Sequence, residues 1–316
     1  MRFRTLAASI GIAALGLTAA TAWRLHARNS AALSAHPPTG RIVMVDDAAV
    51  HLQVQGTGPD LVLIHGASGN LRDFTFSLID DLSASYRVIA LDRPGLGHSD
   101  PLPAGDYTVA SQAARLRKAV AQLGVKNPIV LGQSYGSAVA LSWALQEQPA
   151  ALVLVAGVSM PWPGTLDPWY RVTSTALGRA TLVPLASAFV PESYVRNAVG
   201  AVFAPQAAPS GYLDHLGIDL TLRRQALAAN VAQINSLRPQ VVEMSRSYAK
   251  LDLPIELIHG DADTIVPLKV HSGPFVELVP QARLTVLPGA GHMPHHTHKD
   301  SVIAAIDRAA ARAGLR

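Results

Sequence analysis

A serine in a tight turn flanked by glycines is the first feature of this sequence that could do chemistry. Gly132, Ser134 and Gly136 match the pattern G-x-S-x-G, which follows a short apolar run and precedes a helical pattern. A serine at such a strand-to-helix turn stands exposed at the carboxyl end of its strand, and the glycines leave room for the strained backbone. Because five residues with two glycines also occur in ordinary turns, the pattern alone is moderately specific. Ser134 is therefore a candidate nucleophile.

A serine nucleophile needs a neighbouring base, and His292 is the best placed of the 12 histidines. It lies in a glycine-rich loop (GAGH) directly after the last strand-like run, which places it at the same sheet edge as Ser134. His295, His296 and His298 follow closely and would suit a metal cluster. No acidic ligand or second histidine group stands at a typical spacing from them, so we expect a solvated polar loop and no metal.

The base in turn needs a carboxylate that holds its tautomer and stabilises its charged form. Two candidates, Asp261 and Asp263, follow the strand-like run 254–260. Both lie at the predicted edge, and aspartates in such loops are commonly turn formers or helix caps. The residues themselves leave the choice between the two open.

Acyl transfer also needs N–H donors for the oxyanion that develops in the transition state. The backbone amide of Tyr135, directly after the serine, supplies one donor. The second is expected in the loop HGASG (65–69), and one such donor is typically worth about 3–4 kcal/mol. Oxyanion loop, serine, aspartate and histidine follow one another in this order, each at the carboxyl end of a strand-like run. This combination indicates the site of a serine hydrolase.

The elements that must position these residues alternate between apolar runs and helical patterns. After two short β-like runs within 41–55, continuous apolar runs occur at 61–65, 87–92, 128–132, 151–157, 254–260 and 282–287. Helical patterns occur between or after them at 108–123, 135–148 and 301–313. Continuous apolar runs suit strands that are buried on both faces. The sequence therefore predicts an α/β fold with a mostly parallel sheet flanked by helices.

One interval between the predicted strands is too long for a simple connection. About a hundred residues separate Gly157 from Pro254, where a crossover needs roughly a dozen or more. We predict a helical cap inserted at about residues 159–250, within a hydrolase domain that spans 41–316. A second independent domain is the alternative, and the place of the interval inside the chain order of the sheet favours the cap.

The segment Met160–Phe203 of the predicted cap is rich in aromatic residues and poor in acids. Its tryptophans Trp162 and Trp169 are candidates for binding an apolar group of the substrate, because aromatic rings offer a large apolar area. Packing of the same rings onto the sheet is an equally good account of any single one.

The N-terminal segment combines arginines with an uncharged run. The run Thr5–Trp23 reaches the ~20 residues needed to cross a bilayer, although few of its residues are strongly apolar. We expect residues 1–28 to be an uncleaved membrane anchor; a cleaved signal peptide and an amphipathic or disordered leader are the alternatives. Residues 29–40 are predicted to be a linker. The protein is accordingly expected at a membrane, or in the periplasm if the segment is cleaved.

Composition narrows the classes of function. The 316 residues with 49% hydrophobic content suffice for one large domain with a substantial core. Because cysteine is absent, a cysteine nucleophile, disulfides and thiolate metal sites are excluded. The net charge of +4 comes from arginines in residues 1–40, so the remainder is neutral and nucleic acid is not an expected partner. No G-x-G-x-x-G follows the first strand, so no dinucleotide cofactor is expected.

Together these segments resemble the α/β-hydrolase superfamily over residues 41 to about 312. The resemblance rests on the blocks HGASGN (65–70), DRPGLGHSD (92–100), GQSYG (132–136), HGDADTIVP (259–267) and PGAGHMPHH (288–296). It implies Ser134 as nucleophile and His292 as base. It also implies Asp263, the second aspartate of the GDxD pattern, as the acid. Ala67 and Tyr135 match the residues whose amides form the oxyanion hole.

The resemblance implies a serine hydrolase without a cofactor, in the first place a carboxylesterase or lipase-like enzyme that cleaves a small apolar ester through an acyl-enzyme. Relatives with the same triad also cleave C–C bonds, lactones or amides, transfer acyl groups or make peracids. A serine nucleophile is unlike the aspartate of haloalkane dehalogenases and epoxide hydrolases. A non-catalytic receptor on this fold would normally lack a triad member, and none is missing here. Substrate identity and oligomeric state do not follow from the residues.

Overall fold

The fold is centred on an eight-stranded sheet, seen in a computed structural model that describes residues 2–316, with the side chains of residues 12 and 14–316. The strands are β1 (Arg41–Val45), β2 (Ala48–Gln55), β3 (Asp60–Ile64), β4 (Arg87–Leu91), β5 (Ile129–Gln133), β6 (Ala151–Val155), β7 (Ile255–Gly260) and β8 (Ala282–Leu287). Their order in the sheet is β1-β2-β4-β3-β5-β6-β7-β8. Strand β2 runs antiparallel to both of its neighbours, and the pairs from β4 to β8 are parallel. The predicted mostly parallel α/β sheet is confirmed.

Helices cover both faces of this sheet and form a separate layer above its carboxyl edge. They are α1 (Arg2–Ala35), α2 (Arg72–Thr75), α3 (Leu78–Leu82), α4 (Val109–Ala121), α5 (Tyr135–Gln146), α6 (Pro168–Thr173), α7 (Ala176–Phe189), α8 (Glu192–Val202), α9 (Tyr212–Leu216), α10 (Ile218–Leu222), α11 (Arg224–Ser245), α12 (Ser272–Leu278), α13 (Pro294–Thr297) and α14 (Lys299–Arg312). Helices α6–α11 lie between β6 and β7, followed by a short 3₁₀ helix, Tyr248–Lys250. These inserted helices occupy the interval predicted for the cap.

The continuous apolar runs become central strands because both of their faces are buried. Every residue of β5, β6 and β7 is buried. In β3, Val62 and Ile64 pack into the core that α4 and α5 share, whereas Leu61 and Leu63 pack into the core beneath α3 and α14. A strand whose two faces both pack into a hydrophobic core cannot alternate apolar and polar residues, so its sequence is apolar throughout.

The first helix is longer than the N-terminal segment predicted from the sequence, and its second half packs on the cap. The Arg28 guanidinium donates hydrogen bonds to the carbonyls of Ser187 (2.9 Å) and Val190 (2.8 Å) at the end of α7, and Ala32 is buried. Residues 29–35, predicted as linker, are therefore the last turns of α1, and only residues 36–40 connect it to β1.

The predicted membrane anchor falls partly outside what the structure describes. Side chains are not described for residues 5–11 and 13 of the run Thr5–Trp23. In the described part of the chain, no helix combines the length and the apolar character needed to span a membrane, so the anchor finds no support there.

Candidate active site

Ser134 lies at the tight turn between β5 and α5, with φ 52° and ψ −117°. This backbone conformation is strained for a residue that has a side chain. Gly132 and Gly136 make the turn possible, because a Cβ on Gly132 would collide with the backbone of Gly136. A Cβ on Gly136 would in turn collide with the carbonyl oxygen of Ile64. The turn thus requires glycine at both positions and presents the serine hydroxyl at the carboxyl edge of the sheet.

Ser134, His292 and Asp263 form a continuous hydrogen-bonded chain at this edge. Ser134 Oγ lies 2.9 Å from His292 Nε2, and His292 Nδ1 lies 2.7 Å from Asp263 Oδ2. All three residues are buried. When the Nδ1–H of the imidazole donates to the carboxylate, Nε2 is left to accept the proton of the serine hydroxyl. The arrangement can therefore activate a serine for attack on an electrophile.

The Asp263 carboxylate is held in place by further donors. Its Oδ1 accepts hydrogen bonds from the backbone amides of Ile265 and Val266, both at 2.9 Å, and its Oδ2 also lies 3.1 Å from His259 Nε2. Burial by itself would raise the pKa of Asp263, but the hydrogen bonds from His259 and His292 outweigh it and hold this pKa well below its usual range. The carboxylate therefore stays ionised next to the imidazole.

The structure distinguishes the two aspartates that the sequence leaves open. Asp261 is exposed, and its Oδ1 accepts a hydrogen bond from the amide of Gly289 at 2.7 Å. It supports the beginning of the histidine loop, whereas Asp263 is the aspartate that contacts His292.

The two predicted oxyanion residues lie near the serine: Tyr135 follows it in the chain, and Ala67 lines the same cavity. Tyr135 is the first residue of α5, where backbone amides have no partner within the helix, and Ala67 lies in the loop after β3. Ala67 and Ser134 line the same cavity. Both predicted amides thus belong to the backbone segments that meet at the turn.

The cap holds the loop after β3 by hydrogen bonds to Ser68, the neighbour of Ala67. Asn230 of α11 accepts from the Ser68 amide at 2.7 Å and donates to Ser68 Oγ at 2.8 Å. The Thr221 hydroxyl donates to the Ser68 carbonyl at 2.7 Å. Ser68 has a φ of 56°, a left-handed conformation that such contacts stabilise. The contact of Asn230 with this loop could not be predicted, because no local sequence pattern relates a cap helix to it.

A buried arginine braces the same loop from the side of the core. Arg93 donates to the carbonyls of His65 (3.0 Å) and Gly66 (2.9 Å), and its guanidinium lies 4.2 Å from the centroid of the Tyr135 ring. Burial lowers the pKa of Arg93 to about 10, so it remains a cation at neutral pH. Burial and the Arg93 charge lower the pKa of His65 to about 4, which leaves this histidine neutral.

The cavity at Ser134 is small, and most of its exposed lining surface is apolar. Its volume is about 100 Å³, and its apolar wall includes Val199, Val202, Leu216 and Met293. A group that reaches the serine hydroxyl must therefore be small, and most of its surface meets apolar side chains.

The predicted substrate-binding tryptophans do not line the cavity at Ser134, and their role in binding substrate stays a prediction. Trp162 packs against the buried core, with its ring 6.0 Å from that of His271. Trp169 lines a separate cavity of about 580 Å³ within the cap. Neither lines the cavity at Ser134. Aromatic content indicated an apolar cap but not the direction in which each ring points.

The histidines after His292 are not the solvated loop that the sequence predicts. His295 Nε2 lies 3.0 Å from Asp73 Oδ2, and His296 Nε2 lies 2.7 Å from Asp73 Oδ1. The three residues are grouped closely enough to be considered as metal ligands. In a tetrahedral zinc site with bonds of about 2.0–2.1 Å, two ligand atoms stand about 3.3 Å apart. The shorter distances here fit hydrogen bonds between imidazole N–H groups and a carboxylate.

We predict that Asp263→Asn slows the covalent labelling of Ser134 by a fluorophosphonate much more than Asp261→Asn does. An amide cannot stabilise the imidazolium or enforce the tautomer, and the equivalent change in a serine protease costs about 10⁴-fold. The measurement is the second-order rate of labelling, followed by intact-protein mass spectrometry. Asp261→Asn is the matched control, expected to react nearly as fast as the unmodified protein; the opposite ranking would reject Asp263 as the acid.

Comparisons with known proteins agree with this geometry. The family described as alpha/beta hydrolase fold matches residues 59–299. The pimeloyl-[acyl-carrier protein] methyl ester esterase of Edwardsiella ictaluri is 30% identical over 267 residues, covering 78% of this chain and 91% of that protein. Lipase 3 of Moraxella sp. is 28% identical over 256 residues, covering 75% of this chain and 73% of that protein.

Solved structures show the same fold at lower identity. A thermophilic esterase from Thermogutta terrifontis has a TM-score of 0.70 at 19% identity, covering 87% of this chain and 99% of that chain. Since the family match spans most of the chain and includes strands β3–β8, the turn at Ser134 and the loop of His292, the chain belongs to the α/β-hydrolase family.

Proposed function

We propose that this protein is a serine esterase that hydrolyses small, largely apolar carboxylic esters through an acyl-enzyme. The observation that carries the proposal is the hydrogen-bonded chain from Ser134 through His292 to Asp263, which opens into a small apolar cavity. Such a site can cleave several kinds of bond, and the relatives named as an esterase and a lipase favour an ester.

The proposed reaction proceeds in two halves. Ser134 Oγ attacks the ester carbonyl carbon while its proton passes to His292 Nε2, and Asp263 stabilises the resulting imidazolium through Nδ1–H. The oxyanion accepts hydrogen bonds from the amides of Ala67 and Tyr135. His292 then gives the proton to the leaving alcohol oxygen as the C–O bond breaks, which leaves an acyl group on Ser134. Water repeats the attack with His292 as base, and the carboxylic acid is released.

The size of the cavity favours esters with a short acyl or alcohol chain next to the serine. The cavity at Ser134 has a volume of about 100 Å³, well below the roughly 300–1,000 Å³ typical of ligand pockets. We therefore expect the acyl or alcohol part next to the serine to be short. Longer chains would have to extend out of the cavity.

The proposal is tested by hydrolysis of p-nitrophenyl acetate, butyrate and octanoate. We expect kcat/KM to be highest for the shorter esters, and Ser134→Ala to lower kcat by about 10⁶-fold, as in subtilisin. Ser142→Ala, a buried serine on the same helix α5, is the control and keeps its activity. Turnover that survives Ser134→Ala would contradict the mechanism.

We also predict that Asn230→Leu lowers kcat on the same esters by about 10-fold to 100-fold, less than the loss from removing an oxyanion donor outright. Leucine has a similar shape but cannot hold Ser68, so the neighbouring Ala67 amide loses its fixed position. KM should change less than kcat, because the walls of the cavity remain.

Asn235→Leu is the control, since this residue lies on the same helix and donates to the carbonyl of Val231 within it. Equal losses in the two variants would mean that the effect comes from the helix and not from the contact with Ser68.

A further inference from the structure

Asp73 is a buried carboxylate in the wall of the cavity that contains Ser134. It lies in α2, which follows the loop of Ala67, and it is 3% exposed. Much of the wall around it is aliphatic, with Val199, Val202 and Met293. The proposed reaction does not use this carboxylate, and an anion in an apolar cavity needs an explanation.

The hydrogen bonds of Asp73 leave part of its accepting capacity open. Oδ1 accepts from the Tyr212 hydroxyl at 2.8 Å and from His296 Nε2 at 2.7 Å, and Oδ2 accepts from His295 Nε2 at 3.0 Å. A carboxylate can accept at about four positions. Among the residues whose side chains are described, these three donors are the side-chain partners of Asp73, so Oδ2 can take one more.

The described side-chain partners of this carboxylate are two histidines and a tyrosine. Burial would raise the pKa of Asp73, but His295 and His296 outweigh it and hold this pKa well below its usual range. Burial lowers the pKa of His295, which favours the neutral imidazole. Donors to Asp73 come from histidine and tyrosine, and neither lysine nor arginine is among its described partners. The cavity therefore contains a desolvated negative charge that a donor in the substrate would stabilise.

We infer that Asp73 determines specificity by accepting a hydrogen bond from a hydroxyl or ammonium group of the substrate. The inference rests on the proposed esterase function and names its substrate class: a small ester with an apolar body and one such donor. A substrate that carries a methyl group in place of the donor would bury the carboxylate without a partner, which a site built around a polar group penalises strongly.

Two pairs of esters with matched shapes test the inference on the unmodified protein. The first pair is 2-(dimethylamino)ethyl acetate, protonated at neutral pH, and 3-methylbutyl acetate. The second is methyl 3-hydroxybutanoate and methyl 3-methylbutanoate, which places the donor on the acyl side. We expect kcat/KM for the donor-bearing ester to be higher by about tenfold or more in at least one pair, mainly through KM.

The Asp73→Asn variant should remove this preference while it keeps the size of the side chain. Asp214→Asn is the control, because Asp214 lies two residues from Tyr212 on α9 but forms an exposed ion pair with Arg196. If Asp73 only holds α2, α9 and α13 together, Asp73→Asn lowers kcat/KM equally for both esters of a pair. An unchanged ratio of kcat/KM between the two esters would overturn the inference.

If this variant does not fold, Tyr212→Phe is the second test, because it removes one hydrogen-bond donor from the carboxylate. We expect it to widen the ratio of kcat/KM between the two esters; an unchanged ratio counts against the inference.

Binding separates this inference from the proposed function. Calorimetry with Ser134→Ala should show tighter binding of the donor-bearing ester without turnover. If none of the four esters is hydrolysed by the unmodified protein, the proposed function fails. If they are hydrolysed and both ratios are near one, the function stands and the role of Asp73 fails. Stoichiometric zinc in the purified protein that is lost in Asp73→Asn would also overturn the inference, since the carboxylate would then be a metal ligand.

Discussion

The site depends on one close contact between two backbone segments. Gly136, at the start of α5, lies against the carbonyl of Ile64 at the end of β3. This contact brings the first amide of the helix beside the loop that contains Ala67. It also forces the left-handed backbone of Ser134, which costs about 1–3 kcal/mol. Two hydrogen bonds stabilise the turn, from the Ser134 amide to the Val155 carbonyl at 2.9 Å and from the Val158 amide to the Ser134 carbonyl at 3.1 Å. Ser134 and the Tyr135 amide, the predicted nucleophile and oxyanion donor, are thus positioned by the sheet.

The inserted helices α6–α11 form hydrogen bonds with residues next to the cavity at Ser134. Asn230 and Thr221 hold Ser68 in the loop after β3, and the Tyr212 hydroxyl donates a hydrogen bond to Asp73 in the wall of the cavity. Arg93 supports the same loop from below. Because polar contacts from two layers converge on a few backbone groups, movements of the cap and the geometry of the oxyanion loop are expected to be coupled.

The sequence predicted those features that follow from burial and chain order. Strands buried on both faces must be apolar throughout, and parallel strands bring their following loops to one edge, so Ser134, Asp263 and His292 could be placed near each other without coordinates. The contact of Asp73 with His295 and His296 joins residues more than two hundred positions apart, and no local pattern encodes it. The directions of Trp162 and Trp169 depend on how the cap packs. Helix α1 continues through 29–35 because this stretch packs on the cap, although its Ser and Asn residues suggested a linker.

The proposed mechanism requires that Ser134 carries the acyl group during the reaction. Incubation with p-nitrophenyl N,N-dimethylcarbamate tests it most directly, because a carbamoyl group on serine is hydrolysed slowly enough to be located by peptide mass spectrometry. We predict one equivalent of released p-nitrophenol and one dimethylcarbamoyl group on the peptide that contains Ser134. A carbamoyl group on any other residue, or release of p-nitrophenol without a modified Ser134, would contradict it.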